Sequence, residues 1–145
     1  MKKTFIAGMA LATLATLASA QTLTCKTAAN IDFINGDIVS SHEESEMKTA
    51  ADQTSRYKIV KNGSTIMVTD YNLESGVIYD TDEYTIEEED EKGFYAGRRS
   101  YGKTKFSAIL EKSFDKISFF KIKNEKTING SREKMNLVIM SCEGK

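Results

Sequence analysis

The chain has one histidine, two cysteines, no tryptophan and no proline among its 145 residues. The lone His42 and the lack of a CxxC leave little for a metal cluster, or for nucleophilic catalysis of the Ser-His or Cys-His kind. No cofactor or metal site is implied. No proline-rich or Gly/Ser-rich stretch marks a linker, and no internal repeat stands out. After the first twenty residues, no apolar run is long enough to cross a bilayer as a helix. Charge of one sign is also missing, with 20 basic residues against 21 acidic ones. That balance argues against a dedicated nucleic-acid binder, which needs a strongly basic face.

The first twenty residues read as an export signal. Lys2 and Lys3 form a positive start, Phe5 to Leu17 a short apolar stretch, and Ala18-Ser19-Ala20 a small-x-small cleavage site. Cys25 follows Leu23-Thr24, which does not fit a lipid-anchored start. The expected location is the bacterial periplasm or the outside of the cell. Cleavage after Ala20 leaves residues 21–145, enough for one β domain with a real core. Loss of two lysines leaves 18 basic residues against 21 acidic ones, a balance of −3.

What is present is β patterning. Short apolar runs with alternation are separated by turn residues. Phe106, Ala108 and Leu110 alternate strictly. Ile66 and Val68 alternate against Thr65, Met67 and Thr69. Asn35-Gly36 and Asn62-Gly63 are hairpin signals, because both turn positions need positive φ. Candidate strands cover Thr22 to Phe33, Arg56 to Lys61, Ser64 to Tyr71, Val77 to about Glu89, Phe94 to Tyr101, Thr104 to Leu110, Ile117 to Lys123 and Met135 to Ser141. Ser40 to Ser55 is polar and lacks alternation. Its Ser41/Glu44 capping spacing and the recurrence of Met47, Ala50 and Ala51 predict a short helix or a loop across one barrel end. The expectation is all-β: a single small antiparallel meander of roughly eight strands, closed as a barrel or folded as a sandwich.

Cys25 falls in the first candidate strand and Cys142 at the end of the last. In a closed barrel those strands are neighbours, so a disulfide between them is expected.

Several polar features have plain structural readings. The acidic run Glu87 to Glu91 precedes Arg98, Arg99, Lys103 and Lys105 across a turn at Lys92-Gly93. A two-residue turn there would set Glu87 opposite Arg98. Asp80-Thr81-Asp82 begins like a calcium loop, but Tyr84 occupies the next ligand position, which excludes an EF-hand. Asn62-Gly63-Ser64 and Asn129-Gly130-Ser131 match glycosylation sequons, and each is explained by an Asn-Gly turn. Tyr71, Tyr79, Tyr84, Tyr95 and Tyr101 are candidates for a cavity lining or, as core positions, for the barrel wall.

Ser75-Gly76-Val77-Ile78-Tyr79 resembles the SGxxY motif of the bacterial C-type lysozyme inhibitors, and Lys92-Gly93-Phe94-Tyr95-Ala96 resembles their KGxxA motif. Those proteins are small, exported, barrel-like and disulfide-tied between their ends. The resemblance implies that Ser75 and Lys92 enter a lysozyme cleft, with Tyr79 as the motif tyrosine. A lysine suits a cleft whose working groups are carboxylates.

The functional expectation is an exported, non-enzymatic β-barrel that binds a small ligand or a partner protein. One alternative is a periplasmic lysozyme inhibitor. Another is a hydrolase drawing a carboxylate pair from Asp80, Asp82, Glu83 and Glu87 to Glu91.

Overall fold

Alternation becomes a closed sheet. The computed structural model describes residues 20–43 and 53–144, so the expected export signal lies outside it except for Ala20. The strands are β1 (Gln21–Ile34), β2 (Asp37–Glu43), β3 (Ser55–Asn62), β4 (Thr65–Asn72), β5 (Ile78–Glu89), β6 (Gly93–Tyr101), β7 (Thr104–Glu111), β8 (Lys116–Thr127) and β9 (Gly130–Gly144). Neighbours pair antiparallel, and β1 also pairs with β9. Closure removes the exposed edges that a barrel-forming sheet would otherwise carry.

Strand β1 organises the closure. One edge pairs with β9 from Leu23 to Ile34. The other edge is shared: Gln21 to Cys25 pair with β3, and Ala29 to Ile34 pair with β2. Thus β2 and β3 lie end to end along one edge. The ring has eight members, β1-β3-β4-β5-β6-β7-β8-β9, and β2 is a ninth strand beside the far half of β1. The barrel, not the sandwich, is the fold.

The expected helix or loop at Ser40 to Ser55 is corrected in part. Ser40 to Glu43 complete β2, pairing with Asp32 to Ala29 of β1. Nearly every β2 side chain is exposed, so the strand shows no alternation, and its backbone pairing alone fixes it. Residues 44–52 lie outside the described set, and Gln53 and Thr54 are helical.

The core fills one half of the barrel. Leu23, Ile59, Ile66, Leu110 and Ile117 are fully buried, and Val68, Tyr84, Phe94, Ala96, Ala108 and Met140 pack with them. Each fully buried aliphatic side chain contributes roughly 1.5–3 kcal/mol. Phe94 closes this end. Its ring lies 5.9 Å from that of Phe114, and the Lys61 and Lys112 ammonium groups sit 4.6 and 4.3 Å from its centroid.

Cys25 and Cys142 face each other directly across the β1–β9 seam, with Cα atoms 4.1 Å apart, and form a buried disulfide.

Turn chemistry follows the sequence with local shifts. Asn35 and Gly36 adopt φ of 49° and 85°, as a two-residue hairpin turn requires. At the next hairpin Asn62 pairs with Thr65, so the turn residues are Gly63 and Ser64, one position later than expected. Between β5 and β6 the turn is Asp90-Glu91-Lys92, and Asp90 Oδ1 accepts from the Lys92 and Gly93 amides at 2.8 and 3.0 Å. Gly93 is a buried strand residue, not a turn residue. A Cβ there would lie 2.6 Å from the Leu110 carbonyl oxygen, so close backbone approach demands glycine. This longer turn and a bulge between Ile86 and Glu88 shift the register. Arg98 therefore ion-pairs with Asp82, and Glu87 does not face it.

Candidate functional site

The sequence-predicted site residues do not converge. Ser75 lies in the β4–β5 turn, where Asn72 Oδ1 accepts from the Glu74 and Ser75 amides, both at 2.9 Å. The Ser75 hydroxyl itself accepts from the Val77 amide at 3.3 Å. Asn72 Nδ2 donates to the Tyr79 hydroxyl at 3.2 Å, so Ser75 and Tyr79 belong to one exposed, hydrogen-bonded turn. Lys92 sits in the β5–β6 turn, at the opposite end of a strand of twelve residues. At about 3.3 Å per residue, that is roughly 40 Å of chain. The structure does not bring Ser75 and Lys92 to one surface.

Nor do the candidate tyrosines line a common cavity. Tyr84 is buried in the core, 5.7 Å from the Phe119 ring, while Tyr79 is exposed and Tyr71 and Tyr95 are half-buried. The side chain of Tyr101 lies outside the described residues. Tyr57, on the same strand face as Ile59, packs against the core beside Asp70.

What converges instead is the inward stripe of β8 and β9. On β8 that face reads Ile117, Phe119, Lys121, Lys123, Glu125. On β9 it reads Met140, Val138, Asn136, Lys134, Arg132. The same face changes from apolar to charged along each strand. The change coincides with the barrel opening out, because β8 and β9 continue together to Thr127 and Gly130, past the last β7 partner, Thr104, and the last β1 partner, Ile34. Strands β2, β1, β9 and β8 thus form a flared lip. Its outer face is apolar, with the cross-strand rows Ile31–Leu137–Phe120 and Phe33–Met135–Ile122 half-buried.

The inner face of the lip holds a cleft of about 410 Å³, lined by Asp32, Ser40, Lys121, Lys123, Glu125, Lys134 and Asn136, with Ile34 and Val39 supplying apolar walls. Lys123 is directly opposite Lys134. Like charges in that position repel. Glu125 offsets the repulsion, lying 3.4 Å from Lys123 Nζ, 3.7 Å from Lys134 Nζ and 2.8 Å from Arg132 Nη2. The Arg132 hydrogen bond chiefly, then Lys134 and Lys123, hold the Glu125 carboxyl below the usual carboxylate range against the opposing effect of desolvation. On the other side, Asn136 Nδ2 donates to Asn30 Oδ1 at 2.7 Å and to Asp32 Oδ1 at 2.9 Å. Both cleft carboxylates are therefore engaged. Three lysines face two carboxylates along its lining, so the cleft carries surplus positive charge. A second depression of about 340 Å³ lies beside the disulfide, between Arg56, Lys26 and Glu143.

Sequence reading missed this cleft. Lys121 and Lys123 fell in the candidate strand Ile117 to Lys123 with no role attached, and Lys134 lay just outside the last candidate strand. The signal was the phase of the alternation: Ile117, Phe119, Lys121 and Lys123 occupy one face, so an apolar stripe runs into a cationic one.

Among the described residues, no helix is long and apolar enough to cross a membrane. No family model, curated protein or solved structure matches this chain.

Proposed function

We propose that the chain is an exported, non-enzymatic β-barrel binding protein, and that it binds a small anionic ligand in the lysine-lined cleft of the flared lip. The observation that carries this reading is Lys123 set against Lys134, with Lys121 beside them and one carboxylate, Glu125, between. Two cations held face to face are a prepared site for a group bearing more than one negative oxygen. The buried half of the barrel is occupied by side chains, which favours the lip as the working part. Among the carboxylates named for hydrolysis, Asp82 is ion-paired with Arg98, Glu89 with Lys112, and Asp90 accepts from two turn amides, which speaks for binding over carboxylate-pair hydrolysis.

An NMR titration with glycerol phosphate tests the assignment. Amide shifts should move along Lys121 to Glu125 and Lys134 to Asn136, and Lys123→Ala should abolish the movement. Flat spectra at millimolar ligand would end it. Lysozyme is the rival partner, on the strength of the exposed Ser75 and Tyr79 turn. Inhibition of a C-type lysozyme at micromolar protein, lost with Lys92→Ala, would favour that partner over the cleft.

A further inference from the structure

The exposed large hydrophobic residues are not scattered. Antiparallel connectivity puts the β1–β2, β4–β5, β6–β7 and β8–β9 connections at the flared end of the barrel, and the β3–β4, β5–β6 and β7–β8 connections at the other. Among the described residues, Ile38, Val39, Leu73, Val77, Ile78, Tyr79 and Ile128 are the exposed large hydrophobics, and every one belongs to the flared end. Ile128 is the clearest case. It occupies the turn between Thr127 and Gly130 and is fully exposed. Turn positions favour Gly, Asn, Asp or Ser for backbone reasons. A β-branched apolar residue at the tip gains nothing there from folding.

Charge is polarised along the same axis. The flared end carries Arg99, Lys103 and Lys105 at the β6–β7 hairpin and Lys121, Lys123, Lys126, Arg132 and Lys134 on β8 and β9, against Glu125 and Glu133 on those two hairpins. Asp32 and Asp37 near the β1–β2 turn, and Glu74 and Asp80 near the β4–β5 turn, reduce the surplus without cancelling it. The opposite end holds Glu87, Glu88, Glu89, Asp90 and Glu91 at a single hairpin, with Glu111 and Asp115 at the next, only partly offset by Lys61, Lys92, Lys112 and Lys116. The net charge of the whole chain is only −1, so this separation, and not an overall excess, gives the molecule its field.

Apolar tips flanked by cations, with the acidic pole turned away, are the chemistry of a surface that meets an anionic bilayer. We propose that the flared end docks on an anionic phospholipid membrane, with Ile128, Ile38 and Val39 entering the headgroup layer and the cleft lysines holding lipid phosphates. This rests on the anion-binding reading of the cleft and names its ligand as a lipid headgroup in a bilayer. The barrel does not cross the membrane in this arrangement; it stands on it.

Vesicle co-sedimentation tests the proposal, using the chain from Gln21, which keeps every strand. Vesicles of phosphatidylcholine with about one-third phosphatidylglycerol should retain the protein, and pure phosphatidylcholine should not. Raising salt to about 1 M, where the screening length falls to about 3 Å, should release it. Ile128→Asp should weaken vesicle binding by at least about tenfold while leaving the glycerol phosphate titration unchanged. Equal binding to neutral vesicles, no binding to anionic ones, or wild-type vesicle binding by Ile128→Asp would each overturn the proposal. Glycerol phosphate binding without vesicle binding would sink the membrane assignment alone. Vesicle binding sensitive to Ile128→Asp, without any response to glycerol phosphate, would keep the membrane and remove the cleft.

Discussion

Lys123 and Lys134 face each other across the β8–β9 ladder and share one carboxylate, Glu125. Their mutual repulsion is offset by that carboxylate, so the pair adds little to stability. Lys134→Ala should therefore leave stability unchanged or raise it by up to about 1 kcal/mol. The same change should eliminate the glycerol phosphate response. Urea melts alongside the NMR titration read both quantities. A loss of stability with binding retained would show that the pair is structural.

The disulfide should be worth more than any single core contact. It closes 117 residues of sequence separation. The chain-entropy model gives a loop of that length nearly 5 kcal/mol, and removal of native disulfides usually costs about 2–5 kcal/mol. Replacing both Cys25 and Cys142 with alanine should lower the urea midpoint accordingly, without altering the far-ultraviolet β signal at low urea. Native stability in the double variant would count against the seam as a major support.

Gly93→Ala should destabilise by about 1–3 kcal/mol through overpacking, because the new methyl meets a backbone carbonyl that cannot swing aside. Gly144→Ala is the control. Its nearest atoms are side-chain ends of Gln21 and Leu23 at 3.8 Å, so its stability should stay near wild type. Equal melts for the two variants would contradict the close approach of β6 to β7.

Alkali should weaken the barrel through its tyrosines. Burial pushes the Tyr57 and Tyr84 phenols above the ordinary tyrosine range. Asp70 adds to the effect at Tyr57, while Arg98 partly opposes it at Tyr84. The fold thus favours the neutral phenols. That contribution is complete below the unfolded tyrosine pKa of about 10 and is lost as pH rises through the raised folded values. Stability to urea should begin to fall near pH 10, and Tyr84→Phe should flatten part of the fall. An identical alkaline slope in that variant would contradict the assignment.

Much of the frame was readable from residues. Phe106, Ala108 and Leu110 face inward as their alternation requires, and Asn35-Gly36 turns as its φ demands. Cys25 and Cys142 meet because a closed meander makes its first and last strands neighbours. Strand β2 was not readable: Asp37 to Glu43 is exposed on almost every side chain, so its identity comes from ladder hydrogen bonds that leave no mark on composition. The Arg98 pairing was misread because register depends on a bulge and a three-residue turn, neither of which alternation encodes. The cleft was hidden for a related reason. Lys123 and Lys134 are separated by a hairpin, and only pairing register reveals that they share a face.

The seam disulfide also has a mechanical meaning. A pull applied at Gln21 and Gly144 travels from one end of the chain to the other through the Cys25–Cys142 bond. The strands between those cysteines are out of the line of force. Only the four residues before Cys25 and the short tail after Cys142 can be stretched, so the barrel would keep its shape under tension that would unzip an uncrosslinked sheet from its ends.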